Sequence, residues 1–544
     1  MILSSFFRGC RITAAAAALG ACVCAGAVAQ GPASAEDGVN AGHGQILLVL
    51  PFDNHSGQPS LDWIREAAPE ILGRRFASAG FAPMSREDRL YALDHLGLPE
   101  GFQPSRASAL KLAQTLDAES IVVGSFLTDG AQIVAEAQVV DVPHLRMSPP
   151  VEARGQMSDM MAVFDSLAWK LTRVMDPEFS VAEETFVAAG RGVRLDAFEQ
   201  YIRGITEPDH AERERHLNQA VKLSPGLSPA WMALGREDYS AAQYEEAASA
   251  FAKVDRNDPD ALEAGFYRGL SLLFSGDYAE AEKAFAEVAK VLPLAEVLNN
   301  EAVAQSRQGH DASALLVAAE TADPHAADYH FNLAVSLKRR NASSEALGEL
   351  RQCLKLRPND SEAQALEKEW TASAGAPASA DDEDAKSDPL ERIVRTFDAV
   401  AFRQAAEMMN QMEAARLEEL PPHDRAVKLA AQANGYLDRG LLLEAERLYQ
   451  AAVANDNRLA EAHAGLAEVR ERTGDAATAR KEAETALELK PLAKAYLVLG
   501  QLELAANHVD EARKDADAAA RLEPANKDVQ ELNRQVALKA GKSQ

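Results

Sequence analysis

The chain repeats itself at an interval of 34 residues. Ala247, Phe251 and Pro259 return as Ala281, Phe285 and Pro293, and Gly235 returns as Gly269. The turn chemistry comes back too, with Gln243-Tyr244 answered by Asp277-Tyr278. A fixed period of this kind argues against one large core. Each unit can bury its apolar face only against its neighbours, so such chains grow as stacks, and about three or more copies are needed. A chain of 544 residues is also too long for one compact core.

Trp231, Leu234-Gly235, Ala247, Phe251 and Pro259, set at these offsets, resemble the tetratricopeptide repeat. That resemblance implies two antiparallel helices per unit. The residue types suit it. Gly276 can close the first helix in the left-handed conformation at low cost. Asp277 can then cap the second by accepting backbone N–H groups. Ala281 is small where the two helices cross, Phe285 fills the gap towards the next unit, and Pro293 stops the helix.

Weaker copies flank the clear ones. Residues 194–226 match mainly in their second half, 297–324 keep Asn299-Asn300, Ala302, Gly309, Asp311 and Ala314, and 327–360 keep Asn332, Leu333, Ala334, Ala346 and Pro358. About five units with a cap are expected over 194–370, above the minimum for a continuous core. A second array of three units and a capping helix is expected over 424–540, where Pro491 and Pro524 hold the register. Between them, 371–389 is Ala/Ser/Pro-rich and then acidic (Asp381 to Asp384), the composition of a disordered linker. Residues 390–421 read as a helical connector, with Ile393, Val394, Phe397 and Met408, Met409 and Met412 on an amphipathic helix or helix pair; the methionines read as core filler.

The amino-terminal part has another rhythm. Gln45 to Phe52 is a short apolar run ended by turn residues, the mark of a buried strand. Helical spacing follows over 61–79, a short strand over 81–84 and a helix over 105–116. Strands over 120–126 and 132–142 flank the hairpin turn Asp129-Gly130. A strand over 151–156 and a helix over 160–175 complete an α+β domain at 45–180. Leu48-Val49-Leu50-Pro51-Phe52-Asp53-Asn54-His55-Ser56-Gly57, with Val123 to Phe126 and Ala137 to Asp141, is similar to the TolB-like amino-terminal domain family. That family implies a bacterial envelope protein with an interaction or assembly role and supplies no catalytic residues. The fold class expected is therefore an α+β domain followed by an all-α superhelix in two arrays.

Residues 1–29 have the pattern of a signal peptide: Arg8 and Arg11, an apolar stretch, then Ala27-Val28-Ala29 before Gln30. Leu19-Gly20-Ala21-Cys22 also resembles a bacterial lipoprotein motif, which would lipidate Cys22 and anchor the chain. The location expected is periplasmic or secreted, with an outer-membrane anchor as the alternative. Of four cysteines only Cys353 follows the leader, so no internal disulfide forms after cleavage.

A formal charge of −27, from 56 basic and 83 acidic residues, excludes a general nucleic-acid binder. The sequence has no Walker-type glycine loop, GxSxG or HExxH, and its 12 histidines are scattered, so no enzyme, cofactor or metal is expected. What remains is the inner wall of the stack. Counting along the first helices places Met232, Arg236 and Tyr239 there, then Phe266 and Phe274, then Asn299 and Arg307, then Phe331, Lys338 and Arg339. Apolar anchors beside cations suit a peptide with hydrophobic side chains and an acidic or carboxylate end. The aromatic rings could equally pack between repeats. The leading reading is an exported, non-enzymatic scaffold binding a protein or peptide. An outer-membrane lipoprotein accessory for assembly or secretion, and a small-molecule sensor or unfamiliar enzyme using the α+β domain, are the alternatives.

Overall fold

The computed structural model describes residues 44–102, 104–373, 389–397, 408 and 412–542. The expected leader with Cys22, and residues 374–388 of the acidic stretch, lie outside the described residues.

The first strand, β1 (Ile46–Val49), is apolar throughout because helices cover both of its faces. It runs parallel to β3 (Ala82–Pro83) on one side and to β4 (Ser120–Asp129) on the other, with Leu47 opposite Ser120 and Val49 opposite Val122. β2 (Asp53–Asn54) also pairs with β4. β5 (Gln132–Asp141) returns antiparallel to β4 through the turn at Gly130, whose φ is +59°. β6 (Arg146–Met147) and β7 (Val151–Gln156) both pair with β5.

Alternation sorts the side chains between the two faces. Leu47, Val49 and Val122 meet α1 (Trp63–Ala79) and α4 (Met160–Met175). Leu48, Leu50 and Ile121 meet α2 (Arg86–His95) and α3 (Arg106–Thr115). The first of these cores does not stop at the edge of the sheet. It continues through Phe186 of α5 (Glu183–Ala189) into Phe198, Tyr201 and Ile202 of α6 (Leu195–Thr206). The sheet unit and the first helices are therefore one packed body.

From there the chain is helical. Successive helices pack in pairs: α6 with α7 (His210–Leu223), α8 (Ser228–Ser240) with α9 (Tyr244–Phe251) and α10 (Ala261–Ser275) with α11 (Tyr278–Val291). α12 (Ala295–Arg307) and α13 (Ser313–Ala322), then α14 (Ala327–Arg339) and α15 (Ser343–Leu356), follow, and α16 (Ser361–Ser373) packs on α15. The later helices are α17 (Pro422–Asp438), α18 (Leu442–Asn455), α19 (Ala460–Thr473), α20 (Ala476–Leu489), α21 (Ala493–Ala505), α22 (Val509–Leu522) and α23 (Lys527–Lys542).

The turn inside each pair after α6–α7 carries one left-handed residue, and these recur near the repeat interval: Ala242, Gly276, Gly309 and Asn341, then Gly440, Gly474 and Asn507. Asp277 caps α11 by accepting the N–H of Glu280 at 3.4 Å. In α8–α9 and α10–α11 close packing sets a glycine opposite an aromatic ring. A Cβ at Gly269 would sit 2.7 Å from Phe285, and one at Gly235 would sit 2.7 Å from Phe251. Ala281 is fully buried beside Phe266, Leu270 and Leu273. Ala281→Leu is expected to overpack this site and cost about 1–3 kcal/mol, read as a lower thermal midpoint.

One expectation fails here. Residues 391–397 are not helical; the chain is extended. The reason is tertiary, because asparagine side chains from α12 and α14 take up the main-chain groups that a helix would pair internally. Met408 and Met412, expected in a core, are exposed.

Candidate functional site

The site lies on α10, α12 and α14, where residues 389–397 run in extended form across the first helices of three successive pairs. Asn332 of α14 holds both main-chain groups of Arg392: Asn332 Oδ1 accepts from the N–H at 2.6 Å, and its Nδ2 donates to the carbonyl at 2.8 Å. Asn299 of α12 donates to the same carbonyl at 3.1 Å and accepts from Asn332 at 2.7 Å. Asn300 repeats the two-point grip on Val394, accepting at 3.0 Å and donating at 2.7 Å. All three asparagines are fully buried. A buried amide without partners is costly, so this wall is built for an extended main chain.

The side chains of the segment meet selective surroundings. Glu391 is 3% exposed. Its carboxylate accepts from Arg339 and Ser306, with Arg307 Nε at 3.7 Å. Arg307 and Arg339 also donate to the carbonyls of Glu391 and Pro389, at 3.3 and 2.9 Å. Arg392 lies over the Phe331 ring, 3.6 Å from its centroid, and reaches Asp328, Asp360 and Glu362 at 2.9, 2.6 and 2.9 Å. Burial works against the charged form of Asp328, but Arg357 and Arg392 overcome it and hold its carboxyl below the usual range. The hydrogen bond from Arg392 lowers Asp360 in the same way. Ile393 and Phe397 pack on the α10 cluster, with Phe397 at 5.4 Å from Phe266, and Val394 packs near Tyr329. Arg395 lies 5.1 Å from the Phe274 ring.

Of the residues counted onto the inner wall, the structure brings Phe266, Phe274, Asn299, Arg307, Phe331 and Arg339 to this segment. The other four go elsewhere. Met232 is buried between helices with Phe251 and Ala264. Arg236 is paired with Glu263 and Glu87, at 2.5 and 3.1 Å. Tyr239 packs on Tyr244 and Tyr267. Lys338 faces Trp370 at 5.5 Å. Counting missed Asn300, Ser306, Asp328, Asn332 and Asp360. The wall is also not simply cationic, since its Arg end is matched by an acidic end around Arg392.

Among the described residues, Glu320, His330 and Glu349 could together hold a metal ion. The repeat offers a simpler account. His330 Nδ1 lies 2.8 Å from Glu349, and its Nε2 3.1 Å from the Pro324 carbonyl. His463 does the same with Glu482 and the Asn457 carbonyl, at 2.6 and 3.0 Å. The spacing along the chain is identical in both cases, so this is a brace between paired helices. The Glu482 hydrogen bond raises the His463 pKa against burial. For His330 burial alone would lower it, but Glu349, the Pro324 carbonyl and Glu320 raise it. A raised folded pKa gives stability that is full below about 6.5 and lost as pH rises through the folded value. His463→Gln is expected to flatten the stability profile above about pH 6, measured by urea denaturation across pH. Burial pushes the Cys353 thiol up to about 11, which fits an inert core residue.

Residues 232–294 and 430–494 match the family model of the tetratricopeptide repeat. The chain carries tetratricopeptide repeats. No curated protein matches it. Among solved structures it is similar to MamA from Desulfovibrio magneticus RS-1, at 19% identity over 31% of this chain and 100% of that one, with a TM-score of 0.29. It is also similar to YrrB, a TPR protein with an unusual peptide-binding site, at 16% identity over 37% of this chain and 99% of that one, TM-score 0.29. A third is the LpoB C-terminal domain from Salmonella enterica, at 20% identity over 22% of this chain and 87% of that one, TM-score 0.19. No helix among the described residues is long and apolar enough to cross a membrane.

Proposed function

We propose that this chain is a non-enzymatic scaffold that binds a protein partner through an extended peptide laid across the repeat helices α10, α12 and α14. One observation carries the reading: three buried asparagines hold the main chain of Arg392 and Val394 at both N–H and C=O. Main-chain recognition of this kind accepts any extended peptide whose side chains suit the flanking wall. Pull-down from an extract of the source organism, comparing wild type with Asn299→Ala/Asn332→Ala, tests it. At least one partner should be lost with the double variant; if every partner is retained, the groove is not the binding surface.

On sequence grounds we place this scaffold in the bacterial envelope, periplasmic or secreted, with a TolB-like α+β domain at 45–180 ahead of two repeat arrays at 194–370 and 424–540. The supporting residues are the leader ending Ala27-Val28-Ala29 and the run Leu48 to Gly57. Mass spectrometry of the mature amino terminus decides between forms. A start at Gln30 is expected, whereas a lipidated Cys22 would favour the anchored accessory.

A further inference from the structure

The reading just given leaves open what the groove selects, and the segment already lying in it answers that. The asparagine grip reads only main chain. Selection comes from the side chains: an acid at 391 enclosed by Arg339, Arg307 and Ser306, an arginine at 392 stacked on Phe331 among three carboxylates, aliphatic residues at 393 and 394, and an aromatic ring at 397 on Phe266. Arg395 and Thr396 are exposed.

We propose that residues 389–397 are a resident ligand, and that the protein's partner carries an extended segment of the same pattern that takes their place. The pattern is acid, arginine, two aliphatic residues, two exposed positions, the first of them able to reach the Phe274 ring, and an aromatic. This rests on the groove being the binding surface. Two arguments support replaceable occupancy. First, the wall cannot stand empty cheaply, because Asn299, Asn300 and Asn332 would lose their main-chain partners and the Arg307–Arg339 pair its counter-ion. Second, the occupant is tied to α16 through only the 15 residues between Ser373 and Pro389. A short tether supplies an effective concentration on the order of 1 mM. With an intrinsic affinity of about 10 µM, that leaves ~1% of grooves open, so a free competitor binds about 100-fold more weakly than to an open groove.

The test uses the full chain and a fluorescent, end-capped peptide of residues 389–397, Pro-Leu-Glu-Arg-Ile-Val-Arg-Thr-Phe. Three proteins are titrated: wild type, a chain with its own segment weakened (Glu391→Ala/Arg392→Ala/Phe397→Ala), and that chain with Asn332→Ala added. The weakened chain should bind the peptide about 100-fold more tightly than wild type, and Asn332→Ala should remove the gain. A peptide with Glu391 and Arg392 exchanged should not bind. Equal binding by wild type and the weakened chain, both sensitive to Asn332→Ala, overturns the resident ligand and leaves the groove reading standing. Binding that ignores Asn332→Ala overturns the groove reading itself, and absence of binding to the weakened chain overturns the proposed pattern. A measurement free of folding artefacts uses wild type alone. Excess unlabelled peptide should speed hydrogen exchange at the chain's own Arg392 and Val394 amides, and unchanged exchange counts against displacement. A wild-type dimer that becomes monomeric in the weakened chain would assign the segment to a second copy and overturn occupancy in cis.

Discussion

Replacing Glu446 with Ala should destabilise the junction between the amino-terminal body and the later repeats by about 3–5 kcal/mol, the usual cost of leaving one partner of a buried ion pair alone. Glu446 sits on α18 with 0% exposure. Its carboxylate accepts from Arg470 at 2.6 Å, from the Ala182 N–H at 3.0 Å, from Gln450 at 2.8 Å and from the Thr185 hydroxyl. Burial raises its pKa, while Arg470, Thr185 and Ala182 pull it back. One side chain therefore ties α18 to α19 and both to α5. Among the described residues, alanine leaves buried Arg470 with Asp475 as its remaining acidic partner, at 3.9 Å, and strands an N–H and a hydroxyl as well. Glu446→Gln keeps the shape and several of these bonds and should cost clearly less. Because a chain of this size need not unfold in one step, hydrogen exchange is the better readout. Helices α5 and α19 should lose protection together in the alanine variant. Loss confined to α18 would show that the network does not couple the two bodies.

No sequence signal announced that network. Glu446 stands in an otherwise apolar stripe with Leu443, Ala445 and Tyr449, and acidic residues on repeat helices are ordinarily solvated. The repeats themselves were legible because their constraints are local and recur: a left-handed turn residue, a small residue at the crossing, a ring facing a glycine. The strands read at 45–52 and 120–126 were legible for a similar reason, since burial on both faces leaves short apolar runs at Ile46 to Val49 and Ile121 to Val123. The groove was half legible. Counting from repeat starts found Asn299, Arg307, Phe331 and Arg339, because a fixed geometry fixes which positions point inward. It could not find the occupant. Glu391 to Phe397 has the composition of an amphipathic helix, and its extended form is imposed by amides more than 50 residues away in the chain. The clue that was available is Asn299-Asn300, two adjacent amides where the helix turns inward. Burial of such groups demands a polar partner that the helix itself cannot supply.

Phe285→Ala should cost about 3–5 kcal/mol and also loosen the bound segment. Phe285 is fully buried, edge-on to Phe266 at 5.7 Å, in the space that Gly269 leaves open. Truncation opens a cavity that the surrounding small residues cannot fill, since Ala281 and Ala284 are already packed against their own neighbours. In a stacked array each unit is held mainly by the next, so damage at α11 weakens α10 and α12 before it reaches more distant helices. Phe266 carries the effect to the groove, because its other side meets Phe397. Phe285→Ala should therefore lower the melting temperature and speed exchange at residues 391–397 together. Asn332→Ala provides the contrast: it removes a grip on the segment without opening the core, so exchange at 391–397 should rise with a much smaller change in melting. If Phe285→Ala lowers the melt but leaves that exchange untouched, the ring stack is not what holds Phe397, and the segment is fixed by its main-chain and Glu391 contacts alone.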